Sequence, residues 1–234
     1  RLEVLTSPVY PENEWYSGNP AAVQGKYGLP DRFILCANQF WVHKNHLRLF
    51  EAIALLRGQG QDIPLVCTGL TNDYRFPDYC TALENFIASA GIGDLVHILG
   101  FIPRADQVQL MRRSMLVVQP SLFEGLSLIV QECLALGKPL VLSDLDIQLA
   151  EGYGTFFSQT DSRDLAVKIL ETWQGAIPGP DPVIEAAARV TALELVRDFA
   201  REFCTLARSA TRRGARVNQG EVQPIAVATS IAPR

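Results

Sequence analysis

The chain has 234 residues, 48% of them hydrophobic and 20% charged, with a formal net charge of −4. That length fills one large domain or two small ones, and the composition is ordinary for a folded globular protein. The acidic balance argues against nucleic acid as the main partner, because phosphate backbones call for a basic surface.

No apolar run reaches 18 residues, so no membrane-spanning helix is expected, and no signal peptide is visible. The chain opens on Arg1 rather than Met, which points to a piece of a longer protein. Its cysteines (Cys36, Cys67, Cys80, Cys133 and Cys204) are scattered with no C-x-x-C pair, and most lie in or beside apolar runs. They read as buried thiols in a reducing compartment.

Residues 1–32, rich in proline, glycine and tyrosine, read as a linker or wrapping segment with one helical turn over 21–27. A regular alternation follows. "FILCA" (33–37) has the length of a strand, and "HLRLFEAIALLRG" (46–58) carries Leu47, Leu49, Phe50, Ile53, Ala54 and Leu56 at helical spacing. Strands are expected at 63–69, 95–100, 115–120, 138–143 and 154–158, and helices at 77–91, 105–114, 127–137 and 162–174, with Gly91 and Gly137 as stops. Short apolar strands alternating with helices mean an α/β fold, a Rossmann-like doubly wound parallel sheet buried on both faces, over residues 33–175. After the break "GAIPGPDP" (175–182) a long helix is expected over 183–207, the C-terminal helical segment being bounded at 176–210. Residues 211–234, with Arg212, Arg213 and Arg216, read as a flexible tail, or else as a surface for a membrane or partner.

In an open parallel sheet, ligands bind beyond the carboxyl ends of the strands. Two stretches at such ends stand out. In "PSLFEGLSLIVQE" (120–132), Glu124 and Gly125 lie in a strand-to-helix loop, Ser127 is an N-cap candidate and Glu132 lies two turns into the helix. Free amides and the helix dipole make an anion site there, and Gly125 lets the backbone approach a ligand. Eight residues rise about 12 Å along a helix, so a ligand touching both acids is long and carries hydroxyls, as a nucleotide sugar does. The plain alternative is an ordinary turn with two surface acids.

In "ANQFWVHKNH" (37–46), Lys44 offers positive charge to phosphate near a helix N-terminus. Asn45 is a candidate cap, and Phe40 and Trp41 read as packing, with recognition as the alternative. His43 and His46 have no partner at an ordinary ligand spacing, so no metal is expected. Asp144-x-Asp146 reads as a polar turn and His97 as a structural histidine.

At these residues the chain resembles the C-terminal, donor-binding domain of a retaining glycosyltransferase of GT-B fold, in family 4 (group 1 glycosyl transferases). The resemblance covers residues 30–175 and rests on "NQFWVHKNH", "VHILGFIP" and "PSLFEGLSLIVQECLALGKPLVLSD". It implies transfer of a hexose from a nucleotide diphosphate sugar, GDP-mannose ahead of a UDP-sugar, to a glycan or lipid-linked acceptor in surface polysaccharide assembly. By the same resemblance Glu132 binds the ribose hydroxyls and Glu124 faces the transferred sugar. The amides of Gly125, Leu126 and Ser127 hold sugar and diphosphate, Lys44 neutralises the leaving diphosphate, and Gly100, Phe101 and Ile102 lie near the base. Lys44 and Glu124 are thus the catalytic candidates, with no metal or other cofactor.

The implied location is cytoplasmic, or peripheral at the inner face of the cell membrane. Asn38 and Gln39 are counted among the donor-binding residues too; they stand where the family often has Gly-Arg, so a donor of hydrogen bonds replaces a charge. The acceptor domain that normally precedes this segment is absent, so the chain alone is not expected to turn over. Two alternatives stand beside this reading: a non-catalytic module that binds a sugar nucleotide or a partner, and a GT-B-like epimerase or phosphorylase.

Overall fold

The computed structural model describes residues 5–217. Six parallel strands, β1 (Ile34–Ala37), β2 (Leu65–Thr68), β3 (Val96–Ile98), β4 (Val117–Gln119), β5 (Leu140–Ser143) and β6 (Thr155–Phe157), form one sheet in the order β3-β2-β1-β4-β5-β6. Every neighbouring pair is parallel, with Cys36 beside Cys67 and Leu35 beside Val117 in register. The expected doubly wound α/β sheet is therefore observed.

Alternation along the strands explains why both faces are apolar. In β1, Ile34 and Cys36 enter one core with Phe50, Ile53, Leu65 and Ile169, while Leu35 and Ala37 enter the other with Met111, Val130 and Leu136. Successive side chains of a strand point to opposite faces, and here both faces are covered by helices. The first face carries α3 (His46–Gly58), α4 (Tyr79–Ser89) and α8 (Ser162–Gly175). The second carries α5 (Arg104–Arg113), α6 (Leu128–Ala135) and the long α9 (Pro182–Val217).

The N-terminal segment differs from a single expected turn. It holds two helices, α1 (Asn13–Ser17) and α2 (Pro20–Lys26). Trp15 is buried, Gln109 Nε2 donates to the Trp15 carbonyl at 2.9 Å, and the Arg112 guanidinium donates to the Gly18 carbonyl at 3.1 Å. Docking on α5 fixes helices too short to be stable alone. In α2, Asn19 caps the Ala22 amide and Pro20 occupies the first turn.

Further differences sit at element ends. The Asp144–Asp146 stretch is not only a turn: Asp144 accepts the Gln159 amide at 3.0 Å, and Asp146 begins α7 (Asp146–Glu151), where an acid in the first turn favours the helix dipole. Asn45 stands at the start of α3 with φ 56° and ψ 39°, but its side chain caps nothing; its Nδ2 donates to the Gln159 carbonyl. Helix α9 runs to Val217 rather than 207, so Arg212, Arg213 and Arg216 lie on it, and the rest of the expected tail lies outside the described residues. Cys36, Cys67 and Cys133 are buried as expected, whereas Cys80 is half-buried and Cys204 is exposed on α9. Among the described residues, no helix is long and apolar enough to cross a membrane.

Candidate functional site

The strand order places a switch point between β1 and β4. From β1 the chain winds outward through β2 and β3; from β4 it winds the other way through β5 and β6. Loops leaving two such adjacent strands diverge and leave a crevice at their carboxyl ends. The loop after β1 carries Asn38 to Asn45, and the loop after β4 carries Pro120 to Ser127. These are the two stretches singled out in the sequence. A backbone bond from the Leu122 amide to the His43 carbonyl, 2.8 Å long, ties them together.

Lys44 and Glu124 meet here across 80 residues of sequence, Nζ to Oε1 at 2.6 Å, with side chains only 15% and 7% exposed. Lys44 closes a short 3₁₀ turn over Val42–Lys44, whose exit through left-handed Asn45 aims the chain into α3. Gln119, the last residue of β4, donates from Nε2 to the same Glu124 oxygen at 2.7 Å. Its Oε1 accepts from Asn38 Nδ2 at 2.7 Å. A chain of hydrogen bonds thus runs Asn38–Gln119–Glu124–Lys44, and the Glu124 carboxylate is fixed from two sides. Such charge-assisted bonds are stronger than neutral ones.

Gln39 does not join this group. Its Oε1 accepts the Leu70 amide at 2.7 Å, which anchors the loop after β2. Gly69, φ +132°, brings that loop against β1: a Cβ there would lie 2.1 Å from the Asn38 carbonyl oxygen. The Gly69 amide in turn donates to the Gly100 carbonyl at 2.8 Å, so the ends of β1, β2 and β3 are laced together. Beyond Gly100 the three expected residues separate. Phe101 is 72% exposed, whereas Ile102 is buried in the second core.

In the β4–α6 loop, Gly125 faces open space and Leu126 is partly exposed. Ser127 occupies the N-cap position of α6 with extended backbone, but its hydroxyl makes no cap bond. Glu132, further along α6, is buried apart from the Lys44 group. Arg104 holds it with two parallel bonds, Nη1 to Oε2 at 3.0 Å and Nη2 to Oε1 at 2.6 Å. Burial pushes the Glu132 carboxyl above the usual carboxylate range, and the Arg104 charge opposes that rise.

The two histidines of the β1 loop have separate surroundings. His46 is fully buried and stacks on Phe40 with ring centres 4.1 Å apart. His43 leans on Trp41; burial, then the neighbouring Lys44 charge, lower its pKa. Among the described residues no three His, Cys, Asp or Glu side chains gather where they could hold a metal ion. A largely apolar cavity of about 690 Å³ lies among residues 5–9, α6 and α9, and none of Lys44, Glu124 or Glu132 lines it.

Sequence reasoning missed Gln119 and Arg104. Gln119 had a signal: it is the one polar residue of the strand stretch "MLVVQP" before the proline, at the ligand end of a buried strand. Arg104 had none, because its partner is 28 residues away.

The model of one family, glycosyl transferases group 1, matches residues 23–174. An alpha-D-kanosaminyltransferase of Streptomyces kanamyceticus is 32% identical over 147 residues, covering 62% of this chain and 36% of that protein. Among solved structures, Anabaena HepE in complex with UDP and glucose superposes with a TM-score of 0.65 at 20% identity, covering 82% of this chain and 54% of that one. A glycosyltransferase from Rickettsia africae gives 0.69 at 20% identity over 83% of this chain and 53% of its own. The chain therefore spans between about a third and a half of the length of these relatives.

Proposed function

This chain belongs to the group 1 glycosyl transferases, and from that membership we propose that it forms the donor-binding half of a GT-B enzyme of family 4. In this reading the enzyme moves a hexose from a nucleotide diphosphate sugar to a hydroxyl of a glycan or lipid-linked acceptor, with retention of anomeric configuration. The observation that carries the proposal is the meeting of Lys44 and Glu124 at the switch point between β1 and β4.

Departure of the diphosphate is the difficult step, because negative charge builds on the leaving oxygen. Lys44 supplies a fixed positive charge close to where that charge develops, assisted by the amides of Gly125, Leu126 and Ser127 at the start of α6. Glu124, held by Gln119 and Lys44, faces the sugar, and Glu132 takes the ribose diol. When the donor enters, its phosphates become the counter-charge of Lys44, and Glu124 is released toward the hydroxyls of the sugar. Asn38 orients Gln119, and Gln39 anchors the loop after β2 through the Leu70 amide. Gly100 and Phe101 border the base, while buried Ile102 supports their loop from below. No metal is needed in this scheme, since lysine and helix amides do that work. The proposed setting is surface polysaccharide synthesis on the cytoplasmic side, free or peripheral to the membrane.

The test is calorimetric titration of the chain with GDP, UDP, ADP and their sugar derivatives, with Glu132→Ala alongside. The UDP bound to Anabaena HepE places UDP-sugars in the first panel beside GDP-mannose. Selective binding of one nucleotide, weakened by roughly 1.5–3 kcal/mol in Glu132→Ala, is the expected result. Equal, weak responses to all nucleotides, unchanged by the substitution, would remove the donor-site reading.

A further inference from the structure

Glu132 is the most deeply buried carboxylate expected to meet ligand, and its only ion-pair partner among the described residues is Arg104 of α5. The guanidinium does not reach across unsupported. Its carbon sits 5.3 Å from the centre of the Trp15 ring, on the short helix α1. Trp15 is itself buried, and Gln109 of α5 fastens its carbonyl, so the ring is a fixed shelf beneath the cation. A planar cation over an indole face is attracted by the ring quadrupole. Two parallel N–H···O bonds then set the plane of the carboxylate as well as its position.

We propose that Arg104 is a positioning residue for the nucleotide end of the site: seated on Trp15, it holds the Glu132 carboxylate in one plane, ready to accept both hydroxyls of a ribose diol. The inference rests on the donor-site reading and adds to it the residue that makes Glu132 competent. An ionised carboxylate has about four lone-pair positions, and the fork of Arg104 uses two, leaving one on each oxygen for a vicinal diol. The arrangement also ties the N-terminal segment to the nucleotide site, because α1 supplies the shelf. Among the described residues, Arg104 is the one charged group that faces Glu132 from a packed neighbour; beside Glu132 on α6, the buried Cys133 thiol is pushed well up by burial and by Glu132 itself.

Two measurements on the chain test this. The first is titration of the Glu132 side-chain carboxyl by carbon NMR, without ligand, in wild type, Arg104→Gln and Arg104→Lys. Removing the cation leaves burial unopposed, so the midpoint rises in Arg104→Gln and less in Arg104→Lys; an unmoved midpoint overturns the proposal. The second compares a ribonucleoside diphosphate with its 2′,3′-dideoxy analogue. The expected result is that Arg104→Gln weakens the ribonucleotide by about tenfold or more while barely changing the dideoxy form, with partial rescue by Arg104→Lys. Loss of both nucleotides alike, or retention of the wild-type preference, overturns the role of Arg104. Glu132→Gln separates the two claims. If it keeps the wild-type preference, or if wild type has none, the donor-site reading itself fails; if Glu132→Gln loses the preference and Arg104→Gln does not, only Arg104 is misassigned. Thermal melting of each variant checks that the fold persists.

Discussion

In the proposed donor-site reading Lys44 has two duties that pull in opposite directions. It neutralises a carboxylate that is almost out of water, and it exchanges that partner for phosphate when the donor binds. Removing one member of a buried pair leaves the other charge uncompensated, which costs about 3–5 kcal/mol in stability. Losing a preorganised donor at a developing oxyanion costs about 10²–10³ in turnover. Lys44→Met should therefore lower both the melting temperature and the rate of sugar transfer in the assembled enzyme. Adding Glu124→Gln should restore much of the stability and none of the rate. A double variant no more stable than Lys44→Met would show that the pair contributes little to the fold. The identity of these two residues was legible in sequence from a lysine before a helix and an acid before a glycine. Their contact was not, since nothing local links positions 80 residues apart.

At the scale of elements, the strands and long helices follow from patterning, and the short pieces do not. Apolar runs of strand length and a helical spacing of leucines in 46–58 appear as β1 and α3 with nearly the expected bounds. Helices α1 and α7 escaped because five or six residues carry too little periodicity; α1 is held by the burial of Trp15 and by its bond to Gln109 of α5. The same dependence makes some joints brittle. Gly69→Ala must push its new Cβ away from the Asn38 carbonyl while holding a φ that disfavours side chains. The expected cost is about 3 kcal/mol, from overpacking and backbone strain together, with loss of nucleotide binding because Asn38 and Gln39 move; an unfolding curve like that of wild type would contradict this. Arg112 forms a second joint. It reaches from α5 to Glu185 of α9 by bonds of 2.6 and 2.9 Å, with both residues buried. Arg112→Met alone should cost about 3–5 kcal/mol in urea unfolding, whereas Arg112→Met with Glu185→Leu should cost markedly less. Additive losses in the double variant would count against this assignment.

Across the whole molecule, one buried charge gives a pH signature. Lys138 lies just after α6, beneath α5 and α9, and its Nζ donates to the carbonyls of Arg112 and Gly179 at 3.2 and 3.3 Å. Burial, with smaller contributions from Arg113 and Arg112, lowers its pKa to about 8, against the pull of Cys133 and Glu185. Below that value both folded and unfolded chains carry the proton, and the fold bears the full cost of burying it. As pH rises through about 8 toward the unfolded value, the folded state sheds the proton first, so this group favours folding more. Relative to Lys138→Met, wild type should gain stability on the order of 3 kcal/mol between pH 7 and pH 10.5. A difference between the two proteins that stays flat over that range would mean that Lys138 is better solvated than its burial suggests.

By itself the sequence determined the fold class and the group 1 family, and singled out the residues proposed to meet a nucleotide sugar, because alternation, periodicity and the E-x7-E segment are local patterns. Only the tertiary structure decided which loops face each other. The order β3-β2-β1-β4-β5-β6 sets β1 beside β4, and that adjacency turns two separated motifs into one constellation. It also decided the partners of each charge: Gln119 and Lys44 for Glu124, Arg104 for Glu132. The physical reason is that strand neighbours and buried ion pairs are chosen by packing among distant segments, and no stretch of chain carries that choice alone.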